Sequence, residues 1–251
     1  GPPTIRGASP RGGSAITRAS TAPGLGISSA GSGRMIWSPW PLATMADLAR
    51  PPHRRPRGGP VVEVLPAGTS AFRIHTAERD PVALNHAARP SRISGGRFDS
   101  DDGNYGYIYV GDSPSTAIAE TLCRDLPLTG RARLVPWTQV ARRALTRMTV
   151  VRDVTVLRLH GPALTQVGAP LALTKCGAQE YETTRAWAKA LRRWVPQAEG
   201  FAYRPRHDED GLTWVLFVEV LEIADEPVPL TEPEVLRVVR DVLHAHNATF
   251  E

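Results

Sequence analysis

Cysteine is scarce in this 251-residue chain: Cys123 and Cys176 allow at most one bridge, which excludes a disulfide framework. A reducing cytoplasm is the simpler expectation for its location. Neither cysteine has a second Cys or a His at metal-ligand spacing, so no metal site is expected. Lysine is scarcer than arginine to an unusual degree. Lys175 and Lys189 are the only two, so cationic chemistry falls to arginine. No apolar run approaches the roughly 18 residues that a membrane-spanning helix needs, and no membrane partner is expected. The chain also lacks a Gly-x-Ser-x-Gly elbow, a phosphate-binding P-loop and any internal repeat.

What charge there is lies unevenly. The net charge is +5, yet residues 1–59 hold eight arginines against the single acid Asp47, which leaves residues 60–251 slightly negative. A duplex-binding domain would carry its basic footprint on the folded part, so no specific nucleic-acid partner is expected. Residues 1–59 are rich in Gly, Pro, Ser, Ala and Thr without apolar period, and read as a disordered basic tail. Within them, Met45-Ala-Asp-Leu-Ala-Arg resembles a translation start. Residues 60–251 read as one domain.

Short β-branched runs begin at once in that domain. Val61–Leu65, Ser70–His75, Tyr105–Val110, Thr155–Leu159, Phe201–Tyr203 and Thr213–Val220 are expected strands. Ser113 followed by Pro114 is an N-cap and first-turn signal for a helix running to about Arg124. Pro162–Val167, Glu180–Trp194 and Pro233–His244 are the other expected helices, while Val135–Arg147 is ambiguous between helix and loop. Strands and helices do not alternate regularly. The fold class is therefore α+β, with a compact mixed or antiparallel sheet and flanking helices, not a doubly wound sheet.

Three segments, in order, carry a resemblance. Phe72-Arg73-Ile74 comes first. Gly95-Gly96-Arg97-Phe98-Asp99 follows, with Tyr109-Val110-Gly111-Asp112-Ser113 and Ala117-Ile118-Ala119-Glu120 behind it. Gly200-Phe201-Ala202-Tyr203-Arg204-Pro205-Arg206 and Trp214-Val215-Leu216-Phe217 close the set. Over residues 61–220 this resembles the RES domain family, named for its Arg, Glu and Ser. The family's members include NAD-degrading toxins of toxin–antitoxin systems, related in fold to ADP-ribosyltransferases. One departure is plain: the position where the family usually has Ser is Pro205.

The resemblance implies an enzyme that consumes NAD by cleaving the nicotinamide–ribose bond, as a glycohydrolase or phosphorylase, held by an antitoxin partner. It implies no metal. Glu120 is the expected catalytic carboxylate, since a ribosyl cation needs a negative charge beside it. Arg73 and Arg97 are the expected diphosphate ligands, because arginine's planar fork fits phosphate oxygens. Tyr109 is expected to stack on the nicotinamide ring, and Tyr107 shares its face under period-2 alternation. Arg206, beside the lost Ser, is expected to line the pocket. Two alternatives stand beside this reading: an ADP-ribosyltransferase or related nucleotide-processing enzyme, and a RES-like nucleotide-binding protein without turnover because of Pro205.

Overall fold

The computed structural model describes residues 48–89, 95–127 and 133–251, so Met45 and most of the expected tail lie outside the described residues. The strands are β1 (Val62–Leu65), β2 (Ser70–Thr76), β3 (Ile108–Gly111), β4 (Arg133–Val135), β5 (Arg143–Val150), β6 (Val154–Arg158), β7 (Gly200–Tyr203), β8 (Thr213–Leu216), β9 (Leu221–Ile223), β10 (Val228–Pro229) and β11 (Ala248–Phe250). The helices are α1 (Pro114–Ile118), α2 (Trp137–Ala141), α3 (Pro162–Gln166), α4 (Ala172–Lys175), α5 (Tyr181–Trp194) and α6 (Pro233–Ala245).

Among the described residues the main sheet runs β1-β6-β7-β8-β3-β2-β5-β10, with β9 also paired to β5. Its neighbours are antiparallel except β6 and β7. β4 and β11 form a separate parallel pair. The α+β expectation holds.

Period-2 alternation sorts the side chains between the two faces. Tyr107, Phe201, Tyr203 and Val215 join Tyr181, Trp187, Ala188 and Leu191 of α5 in one apolar cluster. Ile108, Val110, Ala202, Trp214 and Leu216 point the other way, into a second cluster with Met148, Val150 and Val156. A third cluster packs Ile74 against Ile118, Ala119 and Leu122 and against Val239, Val242 and Leu243 of α6. Aromatic edge-to-face contacts stiffen the first: among them, Phe98 sits 5.5 Å from Phe201 and 5.3 Å from Tyr203, and Phe201 sits 4.9 Å from Phe217.

Several elements differ from the expectation. Val135–Arg147 is neither one helix nor a loop: α2 occupies only five residues, and Arg143 opens the eight-residue strand β5. Its alternation is real, with Ala144, Thr146, Met148 and Val150 buried, but polar Arg143, Thr146, Arg147 and Thr149 blur the apolar count. The strand forms because β2 pairs with it along seven residues. The last strand of the motif block, β8, stops at Leu216 instead of Val220. The helix from Pro114 is α-helical only to Ile118 and continues as a π-helical turn, Ala119–Cys123. Contacts also begin before residue 60. Leu48 is buried in the α5 cluster, and Trp187 Nε1 donates to the Ala49 carbonyl at 2.8 Å. The two cysteines are free and buried.

Candidate active site

Glu120 sits where strand, helix and π turn meet. Ser113 Oγ accepts from the Thr116 amide at 3.1 Å, and Pro114 occupies the first helical turn, so the helix starts where the capping signal places it. Gly111 lets α1 lie directly against β3: a Cβ there would fall 2.8 Å from the Ala117 nitrogen. Thr116 Oγ1 donates to Asp208 Oδ2 at 2.9 Å, tying the helix to the loop after β7. The π turn follows and carries Glu120. Wide single turns of this kind cluster at functional sites because they redirect a side chain at the cost of a regular hydrogen bond.

The Glu120 side chain is buried. Tyr203 Oη donates to its Oε1 at 2.8 Å, while Oε2 has no partner among the described residues. Burial and the adjacent carboxylate hold the Tyr203 hydroxyl well above its ordinary range, so it stays a donor. Behind it lies Arg97, 1% exposed, with its guanidinium 5.8 Å from the Tyr203 ring centre and 5.7 Å from that of Tyr181. Burial opposes the Arg97 charge, but Glu120 and the neighbouring tyrosines outweigh it and hold the group above its ordinary value.

Glu120 lines a cavity of about 280 Å3 together with Arg73, Arg79, Arg89, Arg124 and Arg143. Tyr107 and Tyr109 form part of its wall. Five guanidinium groups face two carboxylates there, those of Glu120 and Asp99. Burial and the neighbouring Arg79 push Arg73 down to about 10. Burial, with Arg142 and Arg124 next, does the same to Arg143, also to about 10. Cations crowded in this way gain from an anion that neutralises them.

Asp99 is not a free carboxylate. Tyr109 Oη donates to its Oδ1 at 2.9 Å, and the Gly96 amide donates to its Oδ2 at 2.8 Å. Tyr109 Oη in turn accepts from the Phe98 amide at 2.8 Å. The two glycines make this wrap possible. Gly95 has φ +86°, and a Cβ on Gly96 would meet both Asp99 Oδ1 and Tyr109 Oη at 2.7 Å. Arg185, buried beneath, donates to the Gly96 carbonyl at 3.2 Å and to the Arg89 carbonyl at 2.6 Å. Burial also holds the Tyr109 hydroxyl protonated well above its ordinary range.

The structure therefore brings Arg73, Tyr107, Tyr109 and Glu120 to one cavity. Arg73 has a second task, since its Nη1 donates to the Pro81 and Ala83 carbonyls and holds the loop after β2. Arg97 is not on the cavity wall: it is sealed under Glu120 and donates to the Cys176 carbonyl at 3.3 Å. Arg206 is not there either. It backs the π turn from outside, Nη1 donating to the Arg124 carbonyl at 3.4 Å. Pro205 is buried away from the cavity wall, and its carbonyl accepts from Lys175 Nζ at 2.6 Å.

Sequence reasoning missed Arg79, Arg89, Arg124, Arg143 and Thr213. Arg124 was findable, four residues beyond Glu120 on the same turn of helix; the others come from loops and strands with no local signal. Thr213 stands apart. Its Oγ1 is buried without a partner among the described residues, and it lines, with Glu120, a small second cavity of about 20 Å3 beside the first. Among the described residues no three His, Cys, Asp or Glu side chains gather as a metal site would need, and no helix is long and apolar enough to cross a membrane.

The mixed sheet and its flanking helices define an α+β protein, in which two buried carboxylates, Glu120 and Asp99, line a cavity with five arginines. The sequence matches the RES domain model over residues 70–239, and the chain belongs to the RES domain family. A chain of the M. tuberculosis MbcT–MbcA toxin–antitoxin complex is similar in structure at 18% identity, covering 70% of this chain and 91% of that one, with a TM-score of 0.48. No curated protein matches.

Proposed function

We propose that this protein is an NAD-consuming enzyme that breaks the bond between nicotinamide and ribose. Nicotinamide leaves as a neutral molecule from a cationic pyridinium, so the departing group needs no proton. The difficulty is the ribose, whose C1′ becomes positively charged as the bond stretches. A carboxylate oxygen held in a water-poor site stabilises that charge without reorganising. The observation that carries the reading is Glu120, buried, anchored through Oε1 and with Oε2 unpartnered, on the wall of a cavity whose arginines suit a diphosphate. Tyr107 and Tyr109 offer aromatic surface for the nicotinamide ring. Water attack at C1′ forms the new C–O bond and yields ADP-ribose, nicotinamide and one proton; phosphate attack gives the phosphorylated sugar. Family membership supports a toxin restrained by an antitoxin.

The test is incubation with NAD, following free nicotinamide chromatographically. Nicotinamide with ADP-ribose, or with its 1″-phosphate when phosphate is supplied, supports the reading. Label transferred to protein supports an ADP-ribosyltransferase instead. NAD bound but intact supports a nucleotide-binding protein without turnover, the reading that Pro205 favours.

A further inference from the structure

Among the described residues β1 closes one end of the main sheet and pairs only with β6. The parity of that pairing is set by Arg158, whose amide donates to the Val61 carbonyl at 2.9 Å. Val61, Glu63 and Leu65 therefore turn their backbone groups toward β6, and Val62 and Val64 turn theirs outward. Thr155, opposite Val64, likewise faces away from β1, its carbonyl accepting from the Glu199 amide at 2.8 Å. The side chains of Val62 and Val64 share one face and are 40% and 57% exposed. The far end of the sheet is guarded. There β9, β10 and the segment between them carry Glu222, Asp225, Glu226, Pro227 and Pro229, the charges and prolines that stop an edge from pairing. Between Val61 and Leu65 there is no proline or lysine, and the register with β6 is unbroken.

We propose that β1 pairs with β1 of a second copy of this chain, antiparallel about a two-fold axis at Glu63. Pro60 and Pro66 lie equally far from Glu63 on either side and have no amide hydrogen to give. Shifting the pairing by one repeat either way sets one of these prolines against a valine. Only the register centred on Glu63 joins Val62 of each copy to Val64 of the other, so that every outward amide and carbonyl of the two valines finds a partner. On the exposed face the same valines cover one another and remove apolar area from water. Glu63 meets its own counterpart across the axis, each held by its Arg158 at 3.2 Å. Like charges directly opposite one another work against the pairing. Strands this short also bury less than the roughly 1,200 Å2 of a standard interface, so the dimer is a weak one. Because the same patch is used on both copies, the contact closes at two and does not propagate.

Sedimentation equilibrium of the full chain tests this. The wild type is expected to show a monomer–dimer equilibrium with Kd on the order of 100 µM. Val64→Pro removes an amide that makes no bond to β6, so the β1–β6 ladder survives while the outward pairing is lost. Val64→Asp leaves the backbone intact and places charge on the covered face. Each is expected to raise Kd at least about tenfold, and Glu63→Gln, which removes both like charges on the axis, to lower it about threefold. Circular dichroism and melting temperature check folding; if Val64→Pro does not fold, Val64→Asp decides. A wild type that stays monomeric up to about 1 mM, far above the expected Kd, overturns the proposal. So does a dimer that persists in Val64→Asp, or one that Glu63→Gln weakens, since the axis then lies elsewhere.

Discussion

Glu120 and Thr213 are two buried polar groups that share one small cavity and each keep an atom without a partner among the described residues. A buried polar atom without a partner costs about 1–3 kcal/mol, so a protein that keeps two together has a use for them. For Glu120 the use is charge. Glu120→Gln preserves shape and the Tyr203 contact while removing the negative charge. It is expected to lower kcat for NAD cleavage about 100-fold and leave ADP affinity unchanged; full activity in the variant would remove Glu120 from the mechanism. For Thr213 the candidate use is its hydroxyl, which lies on the same small cavity as Glu120. Thr213→Val is isosteric and removes only that group. A structural role predicts unchanged or improved stability and nothing else. A positioning role predicts kcat down about tenfold, the cost of one hydrogen bond worth roughly 1–1.5 kcal/mol, with recovery in Thr213→Ser. Equal activity in wild type and Thr213→Val decides for the structural role. At this scale the sequence was informative where a motif surrounds the residue. Arg73, Tyr107, Tyr109 and Glu120 reached the cavity, whereas Arg97 and Arg206 were placed behind it, because a motif records that an arginine is needed and not which way it points.

Elements formed where local chemistry and tertiary pairing agree. α1 starts at its Ser-Pro signal, and α5 and α6 follow their apolar stripes. β5 shows the opposite case: its residues pattern poorly by themselves and become a strand through pairing with β2, β9 and β10. The π turn at Ala119–Cys123 has no sequence signature, since its hydrogen bonds depend on how Glu120 and Cys123 pack. The described end of the segment before residue 60 makes a contact that a linear reading does not show. Leu48 is one apolar side chain in a polar stretch and shows no period, yet it docks in the α5 cluster beside the Trp187–Ala49 hydrogen bond. The exposed Arg50–Glu182 ion pair adds little to this contact. Leu48→Ala is expected to destabilise by about 2 kcal/mol, the low end for a buried leucine at the edge of a core, and to lower Tm by several degrees. An unchanged Tm would mean that the segment does not dock in solution.

Across the whole molecule, charge is arranged against acid. Burial, followed by Arg206, Arg133 and His246, lowers His207 to about 4, from an ordinary value of 6.5. His207 Nδ1 faces Arg133 Nη2 at 3.3 Å, so the ring is the acceptor and must be neutral there. Burial is also the main cause that lowers His75 and His160. His75 Nδ1 faces the Thr76 carbonyl at 2.8 Å and must donate, which leaves Nε2 to accept from Thr146 Oγ1 at 2.7 Å. The unfolded chain thus binds more protons than the folded one just below pH 6.5, and stability there rises with pH. Chemical denaturation at stepped pH is expected to show stability intact above pH 6.5 and falling progressively toward pH 4, with a shallower fall in His207→Gln. The same slope in that variant would assign the acid sensitivity to other groups.

The sequence by itself determined the fold class and the family, and it singled out Glu120, which the structure places on the cavity wall. Capping residues, period-2 alternation and ordered short motifs are local, and local chemistry survives in a linear reading. Only the tertiary structure decided which arginines share a cavity. Arg79 and Arg89 come from the loop after β2, Arg124 from the turn after α1 and Arg143 from the start of β5. In a chain with so many arginines, residue type cannot tell a ligand from an ion pair or a buried support. The difference lies in long-range pairing: the β2–β5 register brings Arg73 and Arg143 to one end of the sheet, and the packing of α5 buries Arg97 and Arg185 instead.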